Sequence, residues 1–250
     1  MKGKILFAGG CHVDGTVSGG ESTLSRVALH VLNEEGFDYQ ASYLIQMRLI
    51  HPRRLIQKCD EVGPHIVVLQ AGHPETSNLF RNYLTKRLGL SGRVRDVVTT
   101  QAVLSGSFDS ISRLERMKWL LRSYSKAYVD SLIGHRLLDT RRFDLTLNRC
   151  LERLRVAHAS EVLILSPLPC IDPVPRYYRE LITPLFCRAA DRHGFEYLDM
   201  KDLQSPSLFA DPLHLNTAGH LAAGEMVGKA LLLLADRISR RATRAARVEV

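Results

Sequence analysis

The sequence predicts an α/β protein in which a parallel sheet of about five strands is covered by helices. Short apolar runs rich in β-branched residues alternate with longer amphipathic stretches, which is the pattern of successive strand–helix units. The run Ile66-Val67-Val68-Leu69 contains no polar residue, as expected of a strand buried on both faces, and a glycine follows it closely. The 250 residues, of which 45% are hydrophobic, are enough to form one sizeable core.

The expected elements follow one another in regular order. Strands are predicted over residues 4–8, 39–45, 65–70, 161–166 and 195–198. Helices are predicted over residues 24–32, 52–62, 143–157, 177–193 and 217–234. Asn216 or Thr217 is expected to cap the last helix, and the prolines between residues 167 and 175 are expected to form a rigid loop.

Residues 79–140 interrupt this order. Glycines punctuate the first part, and the spacing of Leu114, Leu121 and Tyr128 predicts a long helix in the second. Because the stretch lacks the apolar strands of a separate core, we expect a helical insertion, either a lid over a pocket or a surface hairpin. Residues 1–236 are therefore expected to form a single domain, followed by a basic C-terminal tail over residues 237–250.

The positive charge is concentrated at the C-terminal end. The formal net charge is +8. Residues 237–250 carry five arginines and one glutamate, a net charge of +4, which is half of the excess positive charge. Such a tail suits an anionic partner, for example nucleic acid or a membrane surface. No aromatic residue interleaves the arginines, so we expect a solvated helix end rather than a nucleic-acid-binding segment.

Composition excludes several classes of protein. The apolar fraction and the ordinary Gly and Pro counts exclude disordered, collagenous and coiled-coil chains. No apolar run approaches the roughly 20 residues of a membrane span. The short apolar run after Lys4 is expected to be a strand rather than part of a signal peptide, which predicts a cytoplasmic protein.

Neither a disulfide framework nor a cofactor is expected. The five cysteines are scattered and contain no Cys-x-x-Cys pair, which argues against structural disulfides and against a zinc ribbon. No Gly-x-Gly-x-x-Gly motif follows the first predicted strand, and the sequence has no P-loop lysine.

Three segments with unusual polar residues are expected to meet at one edge of the sheet: residues 9–15, 70–75 and 211–216. Ligands of such sheets bind at the carboxyl ends of the strands. The glycines before Cys11 allow a sharp turn that holds the thiol at this edge. Asp211 and His214 lie three residues apart and can hydrogen-bond, which leaves the other imidazole nitrogen as a base. A thiol within reach completes a nucleophile, a base and an orienting carboxylate.

These motifs resemble those of the SGNH, or GDSL, hydrolases. Residues 5–15 (Ile-Leu-Phe-Ala-Gly-Gly-Cys-His-Val-Asp-Gly) are similar to the family's opening strand and Gly-Asp-Ser-x-x-x-Gly block, with Gly10 for the Asp and Cys11 for the nucleophilic Ser. Residues 211–216 (Asp-Pro-Leu-His-Leu-Asn) are similar to its Asp-x-x-His block. The resemblance covers about the first 75 and the last 90 residues.

The resemblance implies a flavodoxin-like three-layer α/β/α fold and a reaction on acyl esters. It implies that Cys11 attacks the carbonyl carbon, that His214 moves the proton and that Asp211 orients His214. The backbone around Gly10 and Gly72 is expected to form the oxyanion site.

The sequence departs from the family at two other oxyanion donors, which are a Gly after the second strand and an Asn in a Gly-x-Asn-Asp block. Residues 42–50 contain no Gly, and residues 72–75 read Gly-His-Pro-Glu, with Pro74 at the Asn position. His73 or Gln70 is a candidate substitute donor, and His12 and His73 are each either a hydrogen-bond donor to the substrate or a polar residue at a strand end.

A cysteine nucleophile favours transfer chemistry, because a thioester intermediate readily passes its acyl group to an amine or a thiol. We therefore expect an acyl hydrolase or acyltransferase whose substrate is a small-molecule or acyl-carrier ester or thioester. Two alternatives stay open. One is a non-catalytic relative that binds a glycan, an acyl ligand or a protein partner. The other is a zinc site that draws on the following side chains: Cys11, His12, His73, Glu75, Asp211 and His214.

Overall fold

A computed structural model describes the chain over residues 3–14, 22–45, 47–49, 51–77, 79, 112–134, 136–157 and 161–248. The strands are β1 (Gly3–Gly9), β2 (Tyr39–Ile45), β3 (Ile66–Gln70), β4 (Glu161–Leu165) and β5 (Glu196–Leu198). The helices are α1 (Cys11–Asp14), α2 (Leu24–Glu34), α3 (Pro52–Val62), α4 (His73–Ser77), α5 (Arg113–Leu132), α6 (Thr140–Ala157), α7 (Pro173–His193) and α8 (Thr217–Val248). Two 3₁₀ turns, Lys201–Gln204 and Pro206–Leu208, precede α8.

The five strands form one parallel sheet in the order β2-β1-β3-β4-β5. The chain runs outward from β1 to one edge and from β3 to the other, so the strand order reverses between β1 and β3. A crevice forms outside the carboxyl ends of the strands at such a reversal, and ligands of open α/β sheets bind there. Gly9 and Gln70 end the two strands that flank it.

Alternate residues of the central strands point into two separate cores. Leu6 and Val67 pack on one face of the sheet with α3, α6 and α7, whereas Phe7 and Val68 pack on the other face with α2 and α8. The strands β1 and β3 are therefore apolar on both sides, which explains their uninterrupted hydrophobic runs. The predicted three-layer α/β/α class with a parallel sheet of five strands is confirmed.

The predicted limits of two helices differ from those of the structure by four residues or more. Helix α7 begins at Pro173 rather than at residue 177, because prolines are compatible with the first turn of a helix and Asp172 caps it by accepting the amide of Val174. Helix α8 continues to Val248 rather than ending at residue 234. Asn216 caps α8 as predicted, since its side chain accepts the amide of Gly219 at 2.9 Å.

The arginines predicted as a basic tail lie on the last turns of α8. Arg237 forms an ion pair with Glu196 at 2.6 Å, and Arg241 pairs with Glu161. Arg240 pairs with Asp236 one turn earlier on the same helix at 2.7 Å. Three of the arginines thus have carboxylate partners within the fold.

Within the described residues, one segment is long and apolar enough to cross a membrane, namely residues 217–244 of α8. Half of its most apolar window is buried inside the protein, where Val227 and Leu231 pack on the sheet and α2. Core helices commonly meet this criterion, so the composition of α8 is explained by its packing.

The predicted insertion contributes α5, which packs on α7. The hydroxyl of Tyr178 on α7 donates to Asp130 of α5 at 2.8 Å and accepts the amide of Leu137 at 3.1 Å. Residues 80–111 of the insertion and Gly15 of the first motif lie outside the described residues.

Helices α2 and α8 approach each other closely because glycines line the contact. Gly224 and Gly228 of α8 face Val27 and Val31 of α2. A Cβ added to Gly224 would clash with Val27 and would lie 2.9 Å from the carbonyl oxygen of Leu24, which is tighter than real contacts.

The substitution Gly224→Ala is expected to lower the free energy of unfolding by about 2 kcal/mol. The added methyl overpacks the contact with Val27, and the backbone carbonyl of Leu24 cannot move aside as a flexible side chain could. Urea unfolding measures the change. Ser239→Ala, at an exposed site of the same helix, serves as the control and should be nearly neutral. Alanine also improves helix propensity by up to about 1 kcal/mol over glycine, so an unchanged or increased stability of Gly224→Ala would contradict the close packing.

Candidate active site

Cys11 lies at the switch point, where β1 turns into the short helix α1. The amide of Gly10 donates to the side-chain oxygen of Gln70 at 3.1 Å, which fastens the end of β1 to the end of β3. A Cβ on Gly9 would lie 2.6 Å from Val13 and 2.8 Å from Gln70, so this tight turn requires glycine there. The turn leaves Cys11 partly exposed.

Asp211 and His214 form the second part of the site, in the turn before α8. One carboxylate oxygen of Asp211 accepts the amides of Leu213 and His214 at 2.7 and 2.9 Å. The other oxygen lies 2.7 Å from Nδ1 of His214, which donates to it. Cys11 lies close enough to His214 to raise its pKa, and the remaining ring nitrogen, Nε2, is not engaged by Asp211.

These contacts favour the protonated form of His214. Burial by itself would lower the pKa of His214, but the hydrogen bonds and charges of Asp211 and Cys11 outweigh burial and raise it to about 10. Burial would likewise raise the pKa of Asp211, yet hydrogen bonds from the side chain of His214 and from the amides of Leu213 and His214 lower it. At neutral pH the pair is therefore an imidazolium and a carboxylate.

Three further imidazoles surround His214. The ring of His12 lies at centroid distances of 5.2 Å from His73, 5.5 Å from His214 and 5.5 Å from His220. Burial, followed by the positive charges around them, lowers the pKa of His12 and of His73 well below the ordinary value, and it lowers that of His220 to about 4. A protonated His214 is thus packed among neutral histidines.

The buried histidines are expected to make the fold sensitive to acid. On unfolding, each regains an ordinary pKa near 6.5 and binds a proton that the folded state excludes. Below pH 6.5 each histidine therefore lowers the free energy of unfolding by about 1.4 kcal/mol for every unit by which the pH is lowered. For His220 this loss accumulates as the pH drops from about 6.5 to about 4.

Both His220→Leu and His220→Asn should therefore reduce the number of protons taken up on unfolding by about one between pH 6.5 and 4.5. The free energy of unfolding should then depend less steeply on pH. Urea unfolding at several pH values measures the slope. An apolar and a polar replacement are compared because only the loss of the titrating group is common to them. An unchanged slope in both variants would contradict the burial of a neutral His220.

Arg179, on α7, hydrogen-bonds the ring of His73. The Arg179 side chain is only 2% exposed, and one of its terminal nitrogens lies 2.7 Å from Nδ1 of His73. Its other nitrogens donate to the carbonyl oxygens of Leu168 and Pro169 at 2.6 and 3.0 Å, and to the Thr76 hydroxyl at 3.3 Å. The sequence interpretation did not single out this arginine.

Gly72 and Glu75 lie on either side of His73 in the chain. Gly72 has a φ of +86°, a conformation that favours glycine, and a Cβ there would press on Phe186 at 3.2 Å. Glu75 accepts the amide of Leu49 at 2.9 Å, which ties the loop after β2 to α4. Burial raises the pKa of Glu75, while hydrogen bonds from the amides of Leu49, Glu75 and Gly72 act in the opposite direction.

A metal fits this site poorly. Cys11, His12 and His73 each place one possible ligand atom within 4.8 Å of the others. A guanidinium can only donate, so Nδ1 of His73 accepts from Arg179 and the proton of the neutral ring is on Nε2. Neither nitrogen of His73 then has a free lone pair for a cation, and the nearby positive charge of Arg179 opposes one.

The structure thus brings together most of the side chains that the sequence singled out. Cys11, His12, His73 and His214 meet at the switch point, and Asp211 stands behind His214. The side chain of Glu75 is directed to Leu49 instead. A cavity of about 540 Å³ between α3 and α6 is lined by none of these residues.

Comparison with known proteins identifies the fold. The sequence matches no protein-family model, and it has no significant match among curated proteins. Among solved structures, TesA is 14% identical with a TM-score of 0.60, and the match covers 92% of this chain and 99% of TesA. The family 3 carbohydrate esterase of Clostridium thermocellum is 11% identical with a TM-score of 0.58, covering 94% and 98%. A GDSL-like lipase of Bacteroides thetaiotaomicron is 10% identical with a TM-score of 0.54, covering 94% and 88%.

The chain therefore has the α/β/α fold of the SGNH, or GDSL, hydrolases, as the sequence motifs suggested. The TM-scores and coverages establish the common fold, and at identities of 10–14% the chemistry has to be argued from the site itself.

Proposed function

We propose that this protein is an acyl hydrolase or acyltransferase that forms a thioester acyl-enzyme on Cys11. One observation carries the proposal. Cys11 and His214 meet at the switch point of the sheet, where Cys11 raises the pKa of His214, and Asp211 holds His214 at 2.7 Å. A nucleophile, a proton carrier and an orienting carboxylate in this order are the requirements of covalent acyl chemistry. The similar solved structures described as an esterase and a lipase support the same class.

In the first half of the reaction the Cys11 thiolate attacks the acyl carbonyl carbon, and the carbonyl oxygen becomes an oxyanion. When this tetrahedral intermediate collapses, the bond from the carbonyl carbon to the leaving oxygen or sulfur breaks, and His214 gives its proton to the leaving group. The acyl group stays on Cys11 as a thioester, and Asp211 keeps the imidazole oriented throughout.

In the second half the neutral His214 takes a proton from the acceptor, which attacks the thioester. Collapse of the second intermediate breaks the bond between the carbonyl carbon and the Cys11 sulfur, which releases the product, and the proton taken from the acceptor remains shared between His214 and Cys11. Water as acceptor gives hydrolysis, and an amine or thiol gives transfer. Thioesters react readily with both, which is why we propose transfer alongside hydrolysis.

A panel of acyl esters and acyl thioesters, with and without an amine acceptor, tests the proposed activity. The wild-type protein should release the alcohol or thiol of at least one donor, and the split between free acid and acylated amine separates hydrolysis from transfer. No turnover of any donor would favour the alternative of a non-catalytic ligand-binding protein. A substrate carried by an acyl-carrier partner and a cytoplasmic location stay predictions.

A further inference from the structure

We propose that Arg179 is a positioning residue that makes His73 the oxyanion donor of this site, in the place of the asparagine expected from the SGNH motifs. The inference rests on the proposed acyl chemistry at Cys11 and adds a donor and its support.

Of the two amides that the sequence suggested as oxyanion donors, that of Gly10 donates to Gln70 at 3.1 Å. That of Gly72 interacts with the Glu75 carboxylate, whose pKa it lowers. Pro74 has no N–H group. The amide of Cys11 is the first of α1 and has no acceptor within the helix, so it supplies one donor. Side chains are the other source of donors, and His73 borders the turn that carries Cys11.

The hydrogen bond from Arg179 determines which nitrogen of His73 donates. Because Arg179 can only donate, Nδ1 of His73 is an acceptor, and the proton of the neutral ring lies on Nε2. Without Arg179 the ring could carry its proton on either nitrogen. The guanidinium therefore selects the tautomer in which Nε2–H is the donor.

The Nε2 edge of His73 lies toward the nucleophile. A Cβ added to Gly10 would be 3.4 Å from Cδ2 of His73, the ring carbon bonded to Nε2, so this edge borders the turn that carries Cys11. A ring nitrogen of His73 also lies within 4.8 Å of the Cys11 sulfur. An oxyanion on a carbonyl carbon attached to that sulfur would form beside this edge.

Arg179 is itself rigidly oriented. Its other nitrogens donate to the carbonyl groups of Leu168 and Pro169 and to the hydroxyl of Thr76. The planar guanidinium therefore cannot rotate without losing several hydrogen bonds. Lysine would keep the charge but not the planar fork. A purely structural role, in which Arg179 only ties Leu168 and Pro169 to α7, is the competing explanation, and the test has to separate the two.

Two reactions of Cys11 provide the test. Acylation by p-nitrophenyl acetate passes through an oxyanion, whereas alkylation by iodoacetamide displaces iodide and forms none. The acylation rate of His73→Ala should fall by about 100-fold, the usual loss for one oxyanion donor, while its alkylation rate changes by no more than about threefold. Arg179→Met and Arg179→Lys should show the same selective loss.

Coupling between the two residues is the second readout. If Arg179 acts through His73, the double variant His73→Ala/Arg179→Met should acylate no more slowly than His73→Ala. His73→Asn supplies an amide whose N–H groups donate without any choice of tautomer, so it should recover much of the acylation rate. Adding Arg179→Met to His73→Asn should then leave the acylation rate unchanged. Circular dichroism shows which variants are folded, and the single His73 variants and Arg179→Lys carry the test if Arg179→Met does not fold.

Three results would overturn the inference: equal losses of acylation and alkylation in Arg179→Lys, multiplicative losses in the double variant, or an unchanged acylation rate in His73→Ala. A wild-type protein that alkylates at Cys11 but is never acylated would instead contradict the proposed function itself. The two failures are therefore distinguishable.

Discussion

Alanine in place of Cys11 should abolish acyl turnover while leaving the fold intact. Cys11 is partly exposed at a turn whose shape depends on the flanking glycines and on Gln70, so loss of the thiol leaves no large cavity. The rate should fall by at least about 10⁴-fold, because a residue that forms the covalent intermediate cannot be bypassed. Steady-state kinetics on the best ester or thioester donor measure the loss.

Cys187→Ala is the matched control for this experiment, because Cys187 is also partly exposed but lies on α7 outside the site. It should retain wild-type rates. Full activity of Cys11→Ala on a verified substrate would show that Cys11 is not the nucleophile.

Serine at position 11 should also be a poor nucleophile, although it is the residue that the SGNH motif carries there. A serine hydroxyl needs a neutral base to take its proton. A serine hydroxyl is also a much weaker acid than a thiol, and the oxyanion site that would have to compensate lacks the Gly and Asn donors of the SGNH motifs. A thiolate needs no such base. We therefore expect Cys11→Ser to recover only a small part of the activity.

Asparagine in place of Asp211 should have the second largest effect, because it removes the group that keeps His214 protonated and oriented. In the folded wild-type protein the pKa of His214 is raised to about 10, so the imidazolium can protonate a leaving group up to that pH. In Asp211→Asn this pKa should fall back toward the ordinary value near 6.5. We expect a rate loss of at least about 100-fold at pH 8.

The pH dependence distinguishes this electrostatic role from a packing defect. The turnover of an alkyl ester, whose leaving group needs the proton, should decline above about pH 10 in the wild type and from near neutral pH in Asp211→Asn. Nuclear magnetic resonance of His214 measures the same pKa directly. A variant whose alkaline limb stays near pH 10 would contradict the role assigned to Asp211.

The same group also affects stability. Its folded-state pKa lies above the unfolded value near 6.5, so the contribution of protonated His214 is fully present below about pH 6.5 and is lost as the pH rises through about 10.

The sheet could be predicted closely from sequence because its signals are local. The limits of β2 and α3 agree with the predicted 39–45 and 52–62, since Pro52 begins α3 and Gly63, with a φ of +59°, ends it. The start of α7 was missed because Pro173 and Pro175 were interpreted as a loop, although both fit a first helical turn whose amides lack partners within the helix. The extension of α8 depends on ion pairs with residues far away in sequence, which no local pattern reveals.

The candidate site was only partly predictable. Cys11, Asp211 and His214 lie in short motifs, so residue type and spacing pointed to them. Arg179 lies on a long helix where a single arginine usually faces solvent, and its burial against His73 comes from long-range packing. His220 was not among the residues that the sequence motifs singled out, but the structure places its ring 5.5 Å from that of His12.

The central claim is that Cys11 forms a covalent acyl intermediate with the help of His214. Intact-protein mass spectrometry after brief exposure to activated acyl esters and acyl thioesters tests it most directly, with wild type, Cys11→Ala and His214→Ala run side by side. We expect a single acyl adduct that maps to Cys11, is absent from Cys11→Ala and is reduced in His214→Ala. No adduct above the Cys11→Ala background, on correctly folded wild-type protein, would contradict it.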